Sequence, residues 1–425
     1  MAEIHGFRGI RYNEKLIDDL GAVICPPYDV ISPEEQEAYY ERSEYNVIRL
    51  EYGAELPGDT SKNNKHTRAA AAFAQWLNQG ILKRDDAPAL YIYEQHFAYK
   101  GTRKKRLGFI CCVKLEPWQN KIIYPHENTV AGIKSDRIEL MRACQANISP
   151  ILALYDDPGQ KVAQLLSGQT RRKPVLDFAS GSQSHKVWMV TDWEFIQRVS
   201  YFMASKSLYI ADGHHRYETA LAYQKEKQVS PGTGGEAFNF VMMTLINLST
   251  PGLFVLPMHR LVRGLSTEAL TDFKNRLGEF FALESTSQGS LDSSLTEGKI
   301  GVLGLEPEKA VVSRLCPEVN IEEIMPKDHS EAYRRLDVSL FQHLIVEKLL
   351  GTYDQVRIGY THSAEIAKSQ IENGEYQLAF LLSPIPVEKI KAIADSNDRI
   401  PGKSTYFYPK LPTGLVINPL SGECF

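Results

Sequence analysis

The residues best suited to chemistry are grouped at positions 212–216, where the chain reads Asp-Gly-His-His-Arg. The apolar run 208–211 before them predicts a buried strand. Asp-Gly then breaks that strand, and residues 216–227 show the apolar spacing of a helix. The pattern therefore predicts a strand that turns on a glycine and opens a helix whose first turn is rich in polar side chains.

Such a turn suits the binding of phosphate. The first N–H groups of a helix lack partners within it, and the helix dipole leaves partial positive charge there. Gly213 would let backbone approach a ligand, and Arg216 offers a planar donor for phosphate oxygens. His214 and His215 can donate hydrogen bonds, and His215 could also act as a base. Asp212 could hold a divalent cation such as Mg²⁺ beside the phosphates.

The simpler alternative is that Asp212 caps the helix while the His-His-Arg group forms a solvated first turn. Capping by itself does not require the sequence Gly-His-His-Arg. We therefore favour the ligand site as the hypothesis.

A second polar stretch, residues 126–129, is a candidate for catalysis. Glu127 could serve as a general base, and Lys134 or Arg137 as a phosphate clamp at the start of a helix capped by Ser135. The HExxH zinc motif is excluded because Val130 stands where its second histidine is needed. An ordinary polar loop before a charged helix start fits the sequence equally well.

Three other stretches are weaker candidates. Residues 402–404, Gly-Lys-Ser, are not a Walker A loop, because Asn397 replaces the required glycine and a helix precedes it. Lys403 and Lys410 could still face an anion. The basic tip 103–106 is typical of a solvated hairpin end, and the glycine-rich loop 230–235 precedes a strand, which excludes a dinucleotide fingerprint.

Composition indicates a soluble globular protein, and the mixture of predicted helices and strands places it in the mixed α+β class. The chain has 425 residues, 43% hydrophobic and 24% charged, with a net charge of -4, which gives no general case for nucleic acid or an acidic membrane. Its length suggests about two or three domains. A change to short predicted helices and strands joined by a Ser/Gly-rich segment places a domain boundary between residues 1–282 and an α/β region, 283–425. The six cysteines lack the spacing of a zinc site. We expect neither a leader peptide nor a membrane segment, and therefore a cytoplasmic location.

Several helices and strands are predicted from the spacing of apolar residues and from capping and turn residues alone. Ser32 and Pro33 should start a helix. Further helices and strands are expected at the following places: strands 46–52, 185–192, 238–248 and 376–382, a hairpin of 90–99 with 106–115, and helices 67–78, 337–350, 363–373 and 386–394.

Residues 208–221 resemble the Asp-Gly-His-x-Arg box of the ParB/sulfiredoxin-like superfamily, which includes nucleotide-binding partition proteins, sulfiredoxins and kinases of free serine. A wider set of motifs resembles a bacterial and archaeal family known chiefly as a domain of unknown function; these motifs are Pro26–Ser32, His126-Glu127 with Thr129, the Asp212 box, and Lys403–Thr405 with Pro409-Lys410.

The superfamily resemblance implies a ParB/sulfiredoxin-like nucleotide-binding core, with phosphates of ATP or ADP on Asp212, Gly213, His214 and Arg216. The related serine kinases use a glutamate base, for which Glu127 is our hypothesis. The sulfiredoxin cysteine is missing from the box, which argues against that chemistry, and no helix-turn-helix follows it, which disfavours DNA binding.

The leading hypothesis is a nucleotide-dependent phosphotransferase acting on a small alcohol such as serine, with Mg²⁺ and with Glu127 or His215 as base. Two alternatives remain open: a nucleotide-binding regulatory protein without turnover, and a phosphoester hydrolase using the same anion site. The sequence does not determine the acceptor, the donor nucleotide or the oligomeric state.

Overall fold

A computed structural model describes residues 1–129, 131–228, 234–353 and 355–424. The chain forms two compact units. The first comprises Met1–Pro125, Thr129–Leu253 and Pro409–Phe425, and the second comprises His126–Asn128 and Phe254–Tyr408. The boundary expected at 282/283 falls inside the second unit. Most of the glycine-rich loop expected at 230–235 lies outside the described residues.

The first unit contains a mixed nine-stranded sheet with the order β6-β11-β8-β12-β5-β4-β10-β9, and β1 pairs separately with β5. The strands of this unit are β1 (Ile4–His5), β2 (Ile10–Tyr12), β3 (Leu82–Arg84), β4 (Leu90–Tyr99), β5 (Thr102–Lys114), β6 (Ile123–Tyr124), β7 (Ala146–Asn147), β8 (Ile151–Tyr155), β9 (Leu176–Ser180), β10 (Gln183–Val190), β11 (Leu208–Asp212) and β12 (Phe240–Asn247).

Helices of the first unit pack around this sheet and a smaller satellite core. They are α1 (Leu20–Val23), α2 (Pro33–Arg42), α3 (Ile48–Glu51), α4 (Lys65–Asn78), α5 (Ala131–Cys144), α6 (Lys161–Gln169), α7 (Trp193–Ala204) and α8 (His214–Lys227).

Local signals located most of these elements correctly. Every residue of β12 is buried, as its apolar run predicted, and strand β10 is present as expected. The β4–β5 hairpin is confirmed, with Lys100 and Gly101 at φ 47 and 72 in its turn. Ser32 caps α2 with a complete capping box, and Pro33 is its first residue.

Two local predictions are wrong. The strand expected over 46–52 is instead the short helix α3, because the Asn46 carboxamide accepts from the Ile48 N–H at 2.9 Å and starts a buried helical turn. Ser135 does not cap α5, which begins four residues earlier at Ala131. Good helix formers at 131 and 134 let the helix extend past the polar residue that was expected to start it.

The second unit is built on a six-stranded sheet with the order β15-β17-β16-β19-β14-β18 and a separate β13–β20 pair. Its strands are β13 (Phe254–Pro257), β14 (His259–Arg263), β15 (Phe281–Ser287), β16 (Lys299–Leu303), β17 (Lys309–Leu315), β18 (Arg357–Thr361), β19 (Leu378–Leu381) and β20 (Thr405–Tyr408). The last strand, β21 (Asn418–Pro419), belongs to the first unit and pairs there with β7.

The helices of the second unit match the sequence well where they are long. The predicted helix 337–350 is present as a short α-helix that continues as a π-helix, Phe341–Leu350, and the predicted helices at 363–373 and 386–394 are also found. The α-helices are α9 (Thr267–Phe280), α10 (Leu291–Ser294), α11 (Ile321–Ile324), α12 (Glu331–Arg334), α13 (Asp337–Leu340), α14 (Ala364–Glu372) and α15 (Val387–Asp395). Among the helices of the described ranges, none has both the length and the apolarity needed to cross a bilayer.

Candidate functional site

The Asp212–Gly213 turn has the strand–turn–helix geometry that its sequence predicted. Strand β11 pairs with β6 and β8 and ends at Asp212. Gly213 has φ 96 and ψ 28 and is the N-cap of α8, so no side chain caps that helix. Asp212 is therefore not the cap, and the start of α8 keeps the partial positive charge that favours an anion.

Arg216, which was expected to clamp a phosphate, has two protein partners in this structure. Its Nη2 donates to Asp212 Oδ2 at 2.6 Å, and its Nη1 donates to the Pro150 carbonyl at 2.5 Å. The guanidinium lies against the turn so closely that a Cβ at position 213 would stand 3.0 Å from Nε. A side chain at position 213 would therefore crowd the Arg216 guanidinium and would also have to adopt a positive φ.

Asp212 is held by two cations. Lys410 Nζ donates to Oδ1, and Arg216 holds Oδ2. Burial acts to raise the pKa of the Asp212 carboxyl, but Lys410 and Arg216 outweigh it and hold that pKa below its usual range. The carboxylate is therefore ionised at neutral pH and already neutralised by the protein.

The donor set does not fit a resident Mg²⁺ at Asp212. Both carboxylate oxygens contact cationic groups, whereas a bound Mg²⁺ needs carboxylate oxygens available for coordination. Across the residues that the structure describes, no group of three or more His, Cys, Asp or Glu side chains could hold a metal ion.

A small cavity with a largely apolar lining lies next to Arg216, within the first unit. Its volume is about 40 Å³, and its polar lining includes Glu51, Arg137, Ser149, Arg216 and Thr219. This volume suits one or two water molecules and is far below the ~300 Å³ or more of a typical ligand pocket. Burial raises the pKa of Glu51, although Arg137, Arg216 and the Ser149 hydroxyl act in the opposite direction.

Arg137, the other predicted phosphate clamp, is also engaged internally. It donates to the Glu51 carbonyl at 2.7 Å and to Asp136 Oδ2 from Nε at 2.9 Å. Its guanidinium lies 4.1 Å from the centroid of the Tyr28 ring, which belongs to the Pro26–Ser32 motif. Arg137 thus contacts the Pro26–Ser32 motif, and the contact is between protein groups.

The turn nevertheless reaches the protein surface. Asp212, Gly213 and His215 are partly exposed, whereas His214 and Arg216 are buried. Lys134, a further candidate for the clamp, donates to Glu218 Oε2 on α8 at 2.6 Å. The exposed part of the turn therefore includes Gly213, part of the Asp212 carboxylate and part of His215.

Glu127 and Lys403 lie together in the second unit. The Glu127 carboxylate accepts from the backbone N–H groups of Lys403, Ser404 and Thr405 at 3.2, 3.1 and 2.9 Å, and from the Thr405 hydroxyl at 2.6 Å. The anion that this loop binds is thus Glu127 itself. Lys403 Nζ lies 5.1 Å from the centroid of the Tyr360 ring. In this arrangement Glu127 is a bound carboxylate and its use as a base requires it to leave these donors.

Arg106 is a buried residue that the sequence reading missed by grouping it with the solvated tip 103–106. Its exposed fraction is 1%. Nη2 donates to Gln95 Oε1 at 2.5 Å and to the Pro409 carbonyl at 2.8 Å. Burial lowers the pKa of Arg106 to about 10, and Tyr93 and Asp212 act in the opposite direction. The available signal was the strand period, which places Arg106 on the same face as the buried Gly108 and Ile110.

Solved structures similar to this chain share little sequence with it. A free serine kinase variant in complex with AMP is 12% identical, with 71% of this chain and 89% of that chain covered and a TM-score of 0.39. A conserved hypothetical protein from Pyrococcus furiosus is 16% identical, with 69% and 90% covered and a TM-score of 0.35. SbnI with a C-terminal truncation from Staphylococcus aureus is 12% identical, with 73% and 87% covered and a TM-score of 0.36.

None of the curated proteins matches this sequence. The family described as "Protein of unknown function (DUF1015)" matches residues 4–339, which is most of the chain, and the protein belongs to that family.

Proposed function

We propose that this protein is a nucleotide-dependent phosphotransferase that acts on the hydroxyl of a small molecule. One observation carries the proposal: α8 begins at a glycine without a side-chain cap, at a partly exposed turn where Lys410 and Arg216 both bind Asp212. Helix starts of this kind bind phosphate through backbone N–H groups. Phosphoryl transfer depends mainly on positioning and neutralisation of charge, which such a turn can supply.

In this proposal some side chains position their neighbours, and other groups contact the substrate. Asp212 positions Lys410 and Arg216, and Arg216 in turn fixes the conformation of Gly213. The backbone N–H groups at the start of α8 contact phosphate oxygens, as the resemblance to the ParB/sulfiredoxin-like box implies. His215 is the partly exposed side chain at this turn that could accept a proton from the acceptor hydroxyl.

The identities of donor and acceptor come from the motif resemblance to free-serine kinases. It suggests ATP or ADP as the donor and serine as the acceptor. Glu127 remains the alternative base, on the strength of its motif and in spite of its four hydrogen bonds in this structure.

The test is an acceptor screen on the full chain. We would incubate it with ATP or ADP, with and without Mg²⁺, in the presence of pooled amino acids, and analyse the products by mass spectrometry. A phosphorylated acceptor supports the proposal. Thermal stabilisation by nucleotide without product would indicate a regulatory protein. Phosphate release from model esters without an acceptor would indicate a hydrolase, and no binding at all would refute the proposal.

Two substitutions would then identify the base. His215→Gln and Glu127→Gln each keep a polar side chain of similar size, and the base variant should retain nucleotide binding while losing turnover. His96→Gln is a matched control, since His96 lies in strand β4 with 41% of its side chain exposed.

A further inference from the structure

Arg106 has more N–H donors than its neighbours in the described structure accept. A guanidinium has five N–H donors. The two on Nη2 are directed to Gln95 Oε1 and the Pro409 carbonyl. Nε and Nη1, which hold the other three, are buried and have no hydrogen-bond partner within the described part of the chain.

The charge of Arg106 is also without a partner in direct contact. Both acceptors on Nη2 are neutral, and no ion pair of Arg106 is found among the described residues. The polar side chains nearest to it on the neighbouring strands include Gln95 and Tyr93, and Tyr93 is itself hydrogen-bonded to His185 at 2.8 Å. A buried cation with unpaired donors is costly to a fold, which makes a structural role alone a poor explanation.

The location of Arg106 connects it to the proposed phosphate site. Arg106 binds the carbonyl of Pro409, and Gln95 Nε2 donates to the carbonyl of the next residue, Lys410, at 3.2 Å. Lys410 Nζ in turn contacts Asp212 at the start of the turn. Asp212 is close enough to Arg106 to act on its pKa, which supports the same placement. Arg106 and Lys410 are therefore two cations linked through the segment 409–410, and Lys410 contacts the carboxylate of Asp212, which Arg216 also binds.

We infer that Arg106 is a ligand-binding residue whose unpaired Nε and Nη1 donors bind an anionic oxygen of the substrate, a phosphate or pyrophosphate group in chemical class. The inference rests on the proposed function and adds to it a residue that the Asp-Gly-His-His-Arg box does not contain. An anion there would supply both the missing acceptors and the missing negative charge.

The main alternative is that Arg106 only positions Lys410 through the Pro409 carbonyl. Gln95 permits a matched control, because it binds the same segment and carries no charge. Gln95→Met removes the hydrogen bonds to Lys410 and Gln183 and one acceptor of Arg106 Nη2, and it leaves the Arg106 charge and the bond to the Pro409 carbonyl in place. Arg106→Gln removes the charge while its amide can still donate to one of the two former acceptors.

The experiment measures the affinity of the full chain for ADP and for pyrophosphate by titration calorimetry, with circular dichroism as the check on folding. We expect Arg106→Gln to weaken binding by about tenfold to a hundredfold, the size expected for charge-assisted hydrogen bonds. Gln95→Met should bind within about threefold of the wild type. Arg106→Lys keeps the charge without the planar fork and should weaken binding by several-fold.

The outcomes separate this inference from the proposed function. If the wild type binds ADP and Arg106→Gln binds equally well, the inference is refuted and the proposed function stands. A loss in Gln95→Met as large as that in Arg106→Gln would also refute it, in favour of positioning. If the wild type binds pyrophosphate but not ADP, and Arg106→Gln loses that binding, the nucleotide dependence of the proposed function is refuted and the inference stands. If the wild type binds neither compound, the inference and the proposed function are both refuted. If Arg106→Gln does not fold, Arg106→Lys decides by the same criterion.

Discussion

Lys410 and Asp212 are 198 positions apart in the chain, and the Lys410 ammonium donates a hydrogen bond to the Asp212 carboxylate. Both side chains are nearly buried, with 12% and 13% of their area exposed. The contact ties the C-terminal segment to the turn that starts α8. It also explains why a carboxylate can stand beside a proposed phosphate site, since its charge is neutralised within the protein.

Lys410→Met should destabilise the fold and weaken phosphate binding. Removing the cation leaves Asp212 with Arg216 as its remaining charged partner, and we expect a loss of about 1–3 kcal/mol in the free energy of unfolding. Chemical denaturation of the full chain, followed by circular dichroism, measures the loss. In an Asp212→Asn background the same substitution should cost clearly less. Equal costs in the two backgrounds would contradict a direct Lys410–Asp212 interaction.

Gly213→Ala should destabilise the protein by more than the strain of a positive φ. A methyl group at 213 would meet the Arg216 guanidinium at 3.0 Å, and φ is +96. Gly58 has nearly the same φ, +91, and a methyl group there would meet nothing within 4 Å, so Gly58→Ala measures the backbone strain alone, about 1–2 kcal/mol. The thermal midpoints of both variants give the comparison. Similar losses would show that Arg216 does not depend on the glycine.

Asp337→Asn should remove a pH-dependent instability of the second unit. Burial raises the pKa of Asp337 to about 6, although the Gly298 N–H opposes it. Because the folded-state pKa lies above the usual value of 3.8, the stabilising contribution of the protonated form is present at low pH and is lost as pH rises through about 6.

The thermal midpoint of the wild type should therefore fall relative to that of Asp337→Asn between about pH 4 and pH 8. The asparagine retains an oxygen for the Gly298 N–H, which donates to Oδ1 at 3.0 Å. Parallel pH profiles for the two proteins would be inconsistent with the raised pKa.

Glu127→Gln should loosen the loop that holds this side chain. An amide has one acceptor oxygen, whereas the carboxylate accepts from three backbone N–H groups and the Thr405 hydroxyl. Hydrogen exchange of the 401–408 peptide should accelerate as a result. Thr405→Val removes only the hydroxyl donor and should have a smaller effect. Unchanged exchange in Glu127→Gln would mean that the loop is held by other contacts.

Local sequence patterns determined much of the secondary structure around the site. Strand β11, the break at Gly213 and helix α8 follow from an apolar run, a residue that tolerates positive φ, and helical spacing. The β4–β5 hairpin and the all-buried β12 were equally clear. Each of these signals acts over a few residues, so the chain itself contains the information.

The partners of the charged side chains were decided by the tertiary structure. The sequence presented Arg216, Arg137 and Glu127 as groups for a ligand, and the fold gives each of them protein partners. It presented Arg106 as a solvated charge, and the fold buries it. The physical reason is that a charge is paired by whatever the fold brings near it, often from a distant part of the chain, whereas helix and strand formation depends largely on neighbours. Sequence alone therefore located the turn, and only the folded chain determined which protein groups its charged side chains bind.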